Sequence, residues 1–80
     1  MKSQEALRKR LINLLEEKGL AVNAVATKAL VNPSTIFSIL NGHSKKSEIS
    51  TIAKICYGLG ITVYDFFNDE IFKDLDEYEI

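Results

Sequence analysis

One cysteine, one proline and four glycines in eighty residues leave this chain with few built-in conformational or covalent constraints. The single Cys56 has no partner for an internal disulfide, which excludes a small disulfide-stapled scaffold. It lies at helical spacing from Ile52, Ile55 and Leu59, so it reads as a buried structural thiol ahead of a redox group. The longest apolar runs are only a few residues, and the chain is therefore expected to hold neither a transmembrane helix nor a signal-peptide core and to work in the cytoplasm. The only histidine, His43, stands thirteen residues from Cys56, no metal-ligand spacing exists, and no glycine-rich loop is available to cradle phosphate. Enzymatic function finds no foothold, and no metal or cofactor is expected. Strand-type alternation, internal repeats and low-complexity tracts are missing as well.

What is present is helical. A chain of 80 residues with 46% hydrophobic content suits one helical core and leaves no room for a separate sensor domain, which implies control by abundance, proteolysis or a partner protein. The first helix is expected from Gln4 to Lys18, with Ser3 as its cap, Leu7, Leu11, Leu14 and Leu15 as its inner face, and Gly19 as its end. Arg8, Lys9 and Arg10 cluster on its outer turns and read as a solvated face or, for one of them, as a phosphate contact. A second helix follows from Val22 to Ala29 with Val25, Ala26 and Ala29 inward, and a third from Pro33 to Leu40. Asn32 supplies the cap of that third helix, and Pro33 takes the first helical position, where its missing N–H costs nothing. Ile36, Ile39 and Leu40 form a buried stripe, which turns Pro33, Ser34, Thr35, Phe37, Ser38 and Asn41 outward or along the edges, and Gly42 closes the helix. Ser47 is expected to cap a fourth helix from Glu48 to Leu59, ended by Gly60. Thr62 and Asp65 have the spacing of a capping box for a short fifth helix through Asn68.

The connection between the second and third helices is too short for a loop, so the two must cross steeply. The stretch V-A-T-K-A-L-V-N-P-S-T-I-F-S-I-L-N-G, Val25 to Gly42, resembles the helix-turn-helix of the Cro/CI-type (XRE) repressor family, in which A-x-x-A-G-V-N/S-x-x-T-I leads into an N-G pair. Ser47 to Phe67 is similar to that family's fourth and fifth helices, with L-G-I-T followed by a two-aromatic ending, and the resemblance extends over roughly Gln4 to Phe67. It implies an all-α, five-helix lambda-repressor-like domain over residues 1–68, followed by an acidic tail over 69–80. It also implies a sequence-specific regulator of transcription, a repressor, that binds double-stranded DNA as a homodimer. Two positions depart from the family pattern. Leu30 stands where the turn usually has glycine, and a left-handed conformation would cost it roughly 1 kcal/mol, so the turn is expected to take a somewhat different shape. Ala21 stands where Ser or Thr usually caps the second helix, forgoing about 1 kcal/mol.

In the docking mode that the resemblance implies, Pro33, Ser34 and Ser38, with Thr35 as a fourth, face base edges in the major groove. Serine hydroxyls discriminate less sharply than Arg or Gln, and Pro33 offers only apolar contact, so direct specificity is modest and DNA shape or a second half-site supplies the rest. Asn41, Lys45 and Lys46 at the end of the third helix, with Asn23 and Lys28 on the second, are the expected phosphate contacts. His43 in the same loop reads as simply exposed. Net charge is −1, but through Ser47 eight Lys and Arg face three Glu, a balance of +5, whereas Glu48 onward carries two Lys against eight acids, a balance of −6. A basic DNA-facing half and an acidic far side fit that asymmetry. In the tail, Ile71, Leu75 and Tyr78 share one face of a possible sixth helix, read as a dimer interface or else as a lid over the chain's own core. The alternative from another class is an antitoxin or anti-repressor that keeps the fold and works by binding a regulatory protein partner.

Overall fold

Hydrophobic periodicity resolves into α1 (Ser3–Lys18), α2 (Val22–Ala29), α3 (Pro33–Leu40), α4 (Ile49–Leu59) and α5 (Val63–Phe67), with one 3-10 turn at Glu70–Phe72. These elements come from a computed structural model that describes residues 1–44 and 46–76, and no strand occurs among the described residues. This is the all-α, five-helix arrangement that the resemblance implies. The core takes Leu7, Leu11 and Leu14 from α1, Val25 and Ala26 from α2, Ile36 and Ile39 from α3, four residues of α4, and Phe66 from α5. Leu15, expected on the inner face of α1, is only partly buried at its edge.

α1, α2 and α4 end in the same way. The N–H of the residue after the cap donates back to the carbonyl five residues earlier (Leu20 to Leu15, Val31 to Ala26, Ile61 to Cys56), and the cap's own N–H reaches three residues back. This double closure requires a left-handed cap residue and buries the next side chain. Gly19 and Gly60 fill the position without strain, while the middle copy uses Leu30 at φ 59, ψ 39. The turn is therefore not reshaped to spare the leucine. Leu20, Val31 and Ile61 all pack on the core, and that burial, with the two hydrogen bonds, holds the backbone in place.

Helix starts follow the sequence less closely. Ser3 is the first helical residue of α1 and not its cap, which is Lys2 without a side-chain hydrogen bond. Ser47 does not cap α4 either. Its hydroxyl accepts from Gln4 Nε2 at 3.2 Å, and the helix starts at Ile49 behind an uncapped Glu48. Ala21 likewise provides no side-chain cap, as expected, whereas Thr62 and Asp65 form the expected capping box.

α2 and α4 approach closely because α4 carries Gly58 at the crossing. A Cβ there would sit 2.6 Å from the Val25 carbonyl oxygen and 3.0 Å from Ala29 Cβ. Neighbouring Cys56 is buried, and burial pushes its thiol pKa up to about 11, so the sulfur stays protonated at neutral pH.

The sixth helix does not form over the described part of the tail. Asp69 Oδ1 accepts from the Ile71 N–H at 2.9 Å and starts a single 3-10 turn, whose last residue, Phe72, sets its ring at a tilt against Phe66 and Phe67, with centroids 6.1 and 4.9 Å away. The helical face that would have joined Ile71, Leu75 and Tyr78 is thus replaced. Ile71 and Leu75 are each half-buried, and Tyr78 lies outside the described residues. The tail then meets the start of the chain, where the Met1 ammonium pairs with Asp76 at 3.2 Å and Asp76 N–H donates to the Met1 carbonyl at 2.9 Å.

Candidate nucleic-acid interface

Asn32, Pro33 and Ser34 build the presented end of α3. Asn32 Oδ1 accepts both the Ser34 backbone N–H and the Ser34 hydroxyl, each at 3.0 Å, and Pro33 occupies the first turn. The Ser34 hydroxyl has thereby committed its hydrogen, and its remaining lone pairs belong to an exposed acceptor. With Ile36 and Ile39 buried, Pro33, Ser34, Phe37 and Asn41 are exposed, and Thr35 and Ser38 are half-buried along one edge.

The chain after α3 is folded back onto that edge. The Ser38 carbonyl accepts the N–H groups of both His43 and Ser44, at 3.0 and 3.1 Å. Gln4 Nε2, reaching from α1, donates to the Ser44 carbonyl at 3.4 Å as well as to Ser47. These bonds bring Lys46 into a shallow groove with Thr35, Ser38, Ser44, Glu48 and Thr51. The groove is rich in hydroxyls and holds one charge of each sign. Asn41 is the exposed C-cap of α3, and Lys45 lies outside the described residues.

The two α2 residues are arranged differently. Asn23 is exposed in the first turn, its carbonyl accepting the Thr27 hydroxyl at 2.9 Å. Lys28, in the last turn, holds its ammonium 5.7 Å from the ring centroid of Tyr57 on α4, a cation–π contact. Pro33, Ser34, Thr35, Ser38, Asn41 and Lys46 are therefore gathered on and beside α3, whereas Asn23 and Lys28 stay on α2, with Lys28 turned toward α4.

The three clustered cations in the middle of α1, Arg8, Lys9 and Arg10, have three separate fates. Arg10 is structural: its guanidinium donates to the carbonyls of Phe66 at 2.8 Å and Asp65 at 2.9 Å and pairs with Asp69 at 3.2 Å. Lys9 pairs loosely with Glu5 one turn away, at 3.8 Å. Arg8 borders a depression with Gln4, Ile39, Gly42 and Ser44, at the C-terminal end of α3. The sequence held one signal for Arg8, its i,i+4 spacing from Gln4, which puts both on one face of α1. That this face meets the end of α3 is visible only in the fold.

Among the described residues, no group of three or more His, Cys, Asp or Glu could hold a metal ion, and no helix is long and apolar enough to cross a membrane. No curated protein matches this chain. The crystal structure of the prophage Lp1 protein 11 does, with a TM-score of 0.77 and 38% sequence identity over 94% of this chain and 100% of that one. The sequence profile of the Cro/C1-type HTH DNA-binding domain matches residues 10–70, which include α2, α3 and every residue of the turn between them. With that match over most of its length and a helix-turn-helix whose second helix presents a capped, hydroxyl-bearing face, this chain belongs to the Cro/C1-type helix-turn-helix family of DNA-binding domains.

Proposed function

We propose that this chain is a sequence-specific double-stranded DNA-binding regulator of transcription that reads the major groove with α3, starting at Pro33, and acts as a homodimeric repressor. The observation that carries the reading is the outer face of α3: a proline-started, Asn32-capped helix end that bears exposed Ser34 and half-buried Ser38, with Lys46 and Arg8 at its margins. Helix-turn-helix domains set this part of the second helix against base edges. Ser34, its hydrogen held by Asn32, offers lone pairs, the complement of an adenine N6 or cytosine N4 amino group. Ser38 and Thr35 add hydroxyls on the neighbouring edge. Asn41, Lys46 and Arg8 contact phosphate at the far end of α3, Lys45 is assigned the same role, and Asn23 and Lys28 do so from α2.

Two half-sites make up for modest reading by each protomer. A second copy finds apolar surface in the groove of about 780 Å³ where Leu75 faces Ile49, Ile52, Phe67 and Phe72, with Ile71 next to it in the tail. Occupying an operator excludes the transcription machinery, which is repression in its simplest form. The reading assigns no catalysis to the chain.

Selection from random duplex DNA tests it, run with the purified protein and with a Ser34→Ala, Ser38→Ala variant at the same moderate salt, since salt sets what an affinity means. An enriched inverted repeat that the variant fails to enrich is the expected result. A folded protein that enriches nothing overturns the reading and leaves a protein partner as the use of the fold.

A further inference from the structure

Phe37 is the one large apolar side chain exposed on α3. It is 44% exposed, although its neighbour Ile36 is fully buried and Ile39 nearly so. Leu40, three residues further along the same helix, is partly buried against the core. Phe37 stands one turn after Pro33 and one turn before Asn41, so Pro33 and Phe37 form an apolar rim along α3, while Thr35 and Ser38 form a hydroxyl rim on the other side.

A surface with one apolar and one hydroxyl rim matches a surface with the same division. In the major groove the one apolar feature on a base edge is the C5-methyl group of thymine; every other readable feature is a hydrogen-bond donor or acceptor. We infer that Phe37, backed by Pro33, is a specificity-determining residue of this protein that reads thymine C5-methyl groups in the half-site. The inference rests on the reading of α3 as the major-groove helix and adds to it a residue and a base. Ser34 reads a polar base edge between the two rims, and the Phe37 ring loses water only where a methyl group replaces it. Phe37 then contributes affinity on thymine-bearing sites and little on others.

The test uses the full chain and the duplex enriched from the random pool. Each thymine in that duplex is replaced in turn by deoxyuridine, which keeps every hydrogen-bonding atom and removes only the methyl group, and binding is measured for the wild type and for Phe37→Ala. Because Phe37 is exposed, the variant is expected to fold, and thermal melting followed by circular dichroism checks this. Phe37→Leu serves as a second variant that keeps an apolar side chain. The expected result is a loss of about fourfold for the wild type at one or more thymines per half-site, the effect of one methyl group leaving an apolar contact. Phe37→Ala shows no such loss, and Phe37→Leu shows part of it. An enriched duplex in which no deoxyuridine weakens the wild type, or in which the same losses persist in Phe37→Ala, overturns the inference and leaves DNA reading by α3 intact. A folded wild type that enriches no duplex overturns both.

Discussion

Among the described residues, Leu30 is the only one besides glycine with positive φ, and its side chain is 88% exposed, so it gains almost nothing from burial while bearing left-handed strain. Leu30→Gly removes the strain of roughly 1–2 kcal/mol and gives back part of it as unfolded-state entropy. The variant should be more stable by about 0.5–1 kcal/mol, read as a higher urea midpoint at an unchanged slope. Asp65 is a residue whose carboxyl makes stability respond to acid. The Thr62 backbone N–H, and then the Thr62 side chain, hold its carboxyl below the ordinary carboxylate value. Because the folded pKa is the lower one, this contribution is present above the ordinary value and is lost as pH falls through the folded value. Asp65→Asn should therefore lie below the wild type in stability near neutrality and converge with it in acid, as a series of urea midpoints against pH would show. Thr62 and Asp65 were readable as a pair because a capping box is local. The conformation of Leu30 was not, since it is imposed by the burial of Val31 against other helices.

Among the elements, α2, α3 and α5 lie where periodicity and capping residues put them. α4 begins one residue late because Gln4 takes the hydroxyl of Ser47 across a separation of 43 residues, a competition that a local reading cannot contain. α2 and α4 depend on a contact with no sequence signature of its own. Glycine within a helix is usually a weakness, yet Gly58 admits the Val25 carbonyl. Gly58→Ala should cost about 1–3 kcal/mol by overpacking, in spite of the better helix propensity of alanine, and a lowered melting temperature would show it. α5 and the 3-10 turn hang on Arg10, whose side chain is only 12% exposed. Arg10→Met should destabilise the fold by roughly 2–3 kcal/mol, the loss of charge-assisted hydrogen bonds to two carbonyls, while the folded fraction keeps its affinity for DNA. An equal loss of affinity and stability would instead return Arg10 to the DNA-contacting surface. Over its described part the tail takes a 3-10 turn in place of the possible sixth helix for a related reason: Ile71 and Leu75 have helical spacing, but the aromatic contact of Phe72 with Phe66 and Phe67 and the Arg10–Asp69 pair select a tighter turn.

At the scale of the molecule the charge asymmetry becomes a geometry. Arg8 and Lys46, far apart in sequence, flank α3, whereas Asp69, Asp74 and Asp76 gather where the tail meets α1 and Met1. Two acids are exceptions: Glu48 lies inside the α3 groove beside Ser38, and Glu5 lines the depression that Arg8 borders. If α3 carries the DNA, Arg8→Ala and Lys46→Ala should each flatten the plot of log affinity against log salt by about 0.9 and weaken all duplexes alike. Glu48→Gln should tighten binding to all of them. Titrations of one enriched and one scrambled duplex at three salt concentrations would show both effects.

The sequence by itself determined the helices, most of their ends, the buried stripe of each and the outward residues of α3, because periodicity, caps and proline placement act within a few residues. It also determined the family, through a motif that is itself local. Only the tertiary structure decided which cation of α1 lies beside α3 and which one anchors α5, where the tail runs, and that Leu30 accepts a glycine conformation. Each of those depends on which groups packing brings within reach of one another, and residues tens of positions apart meet only after the core has closed.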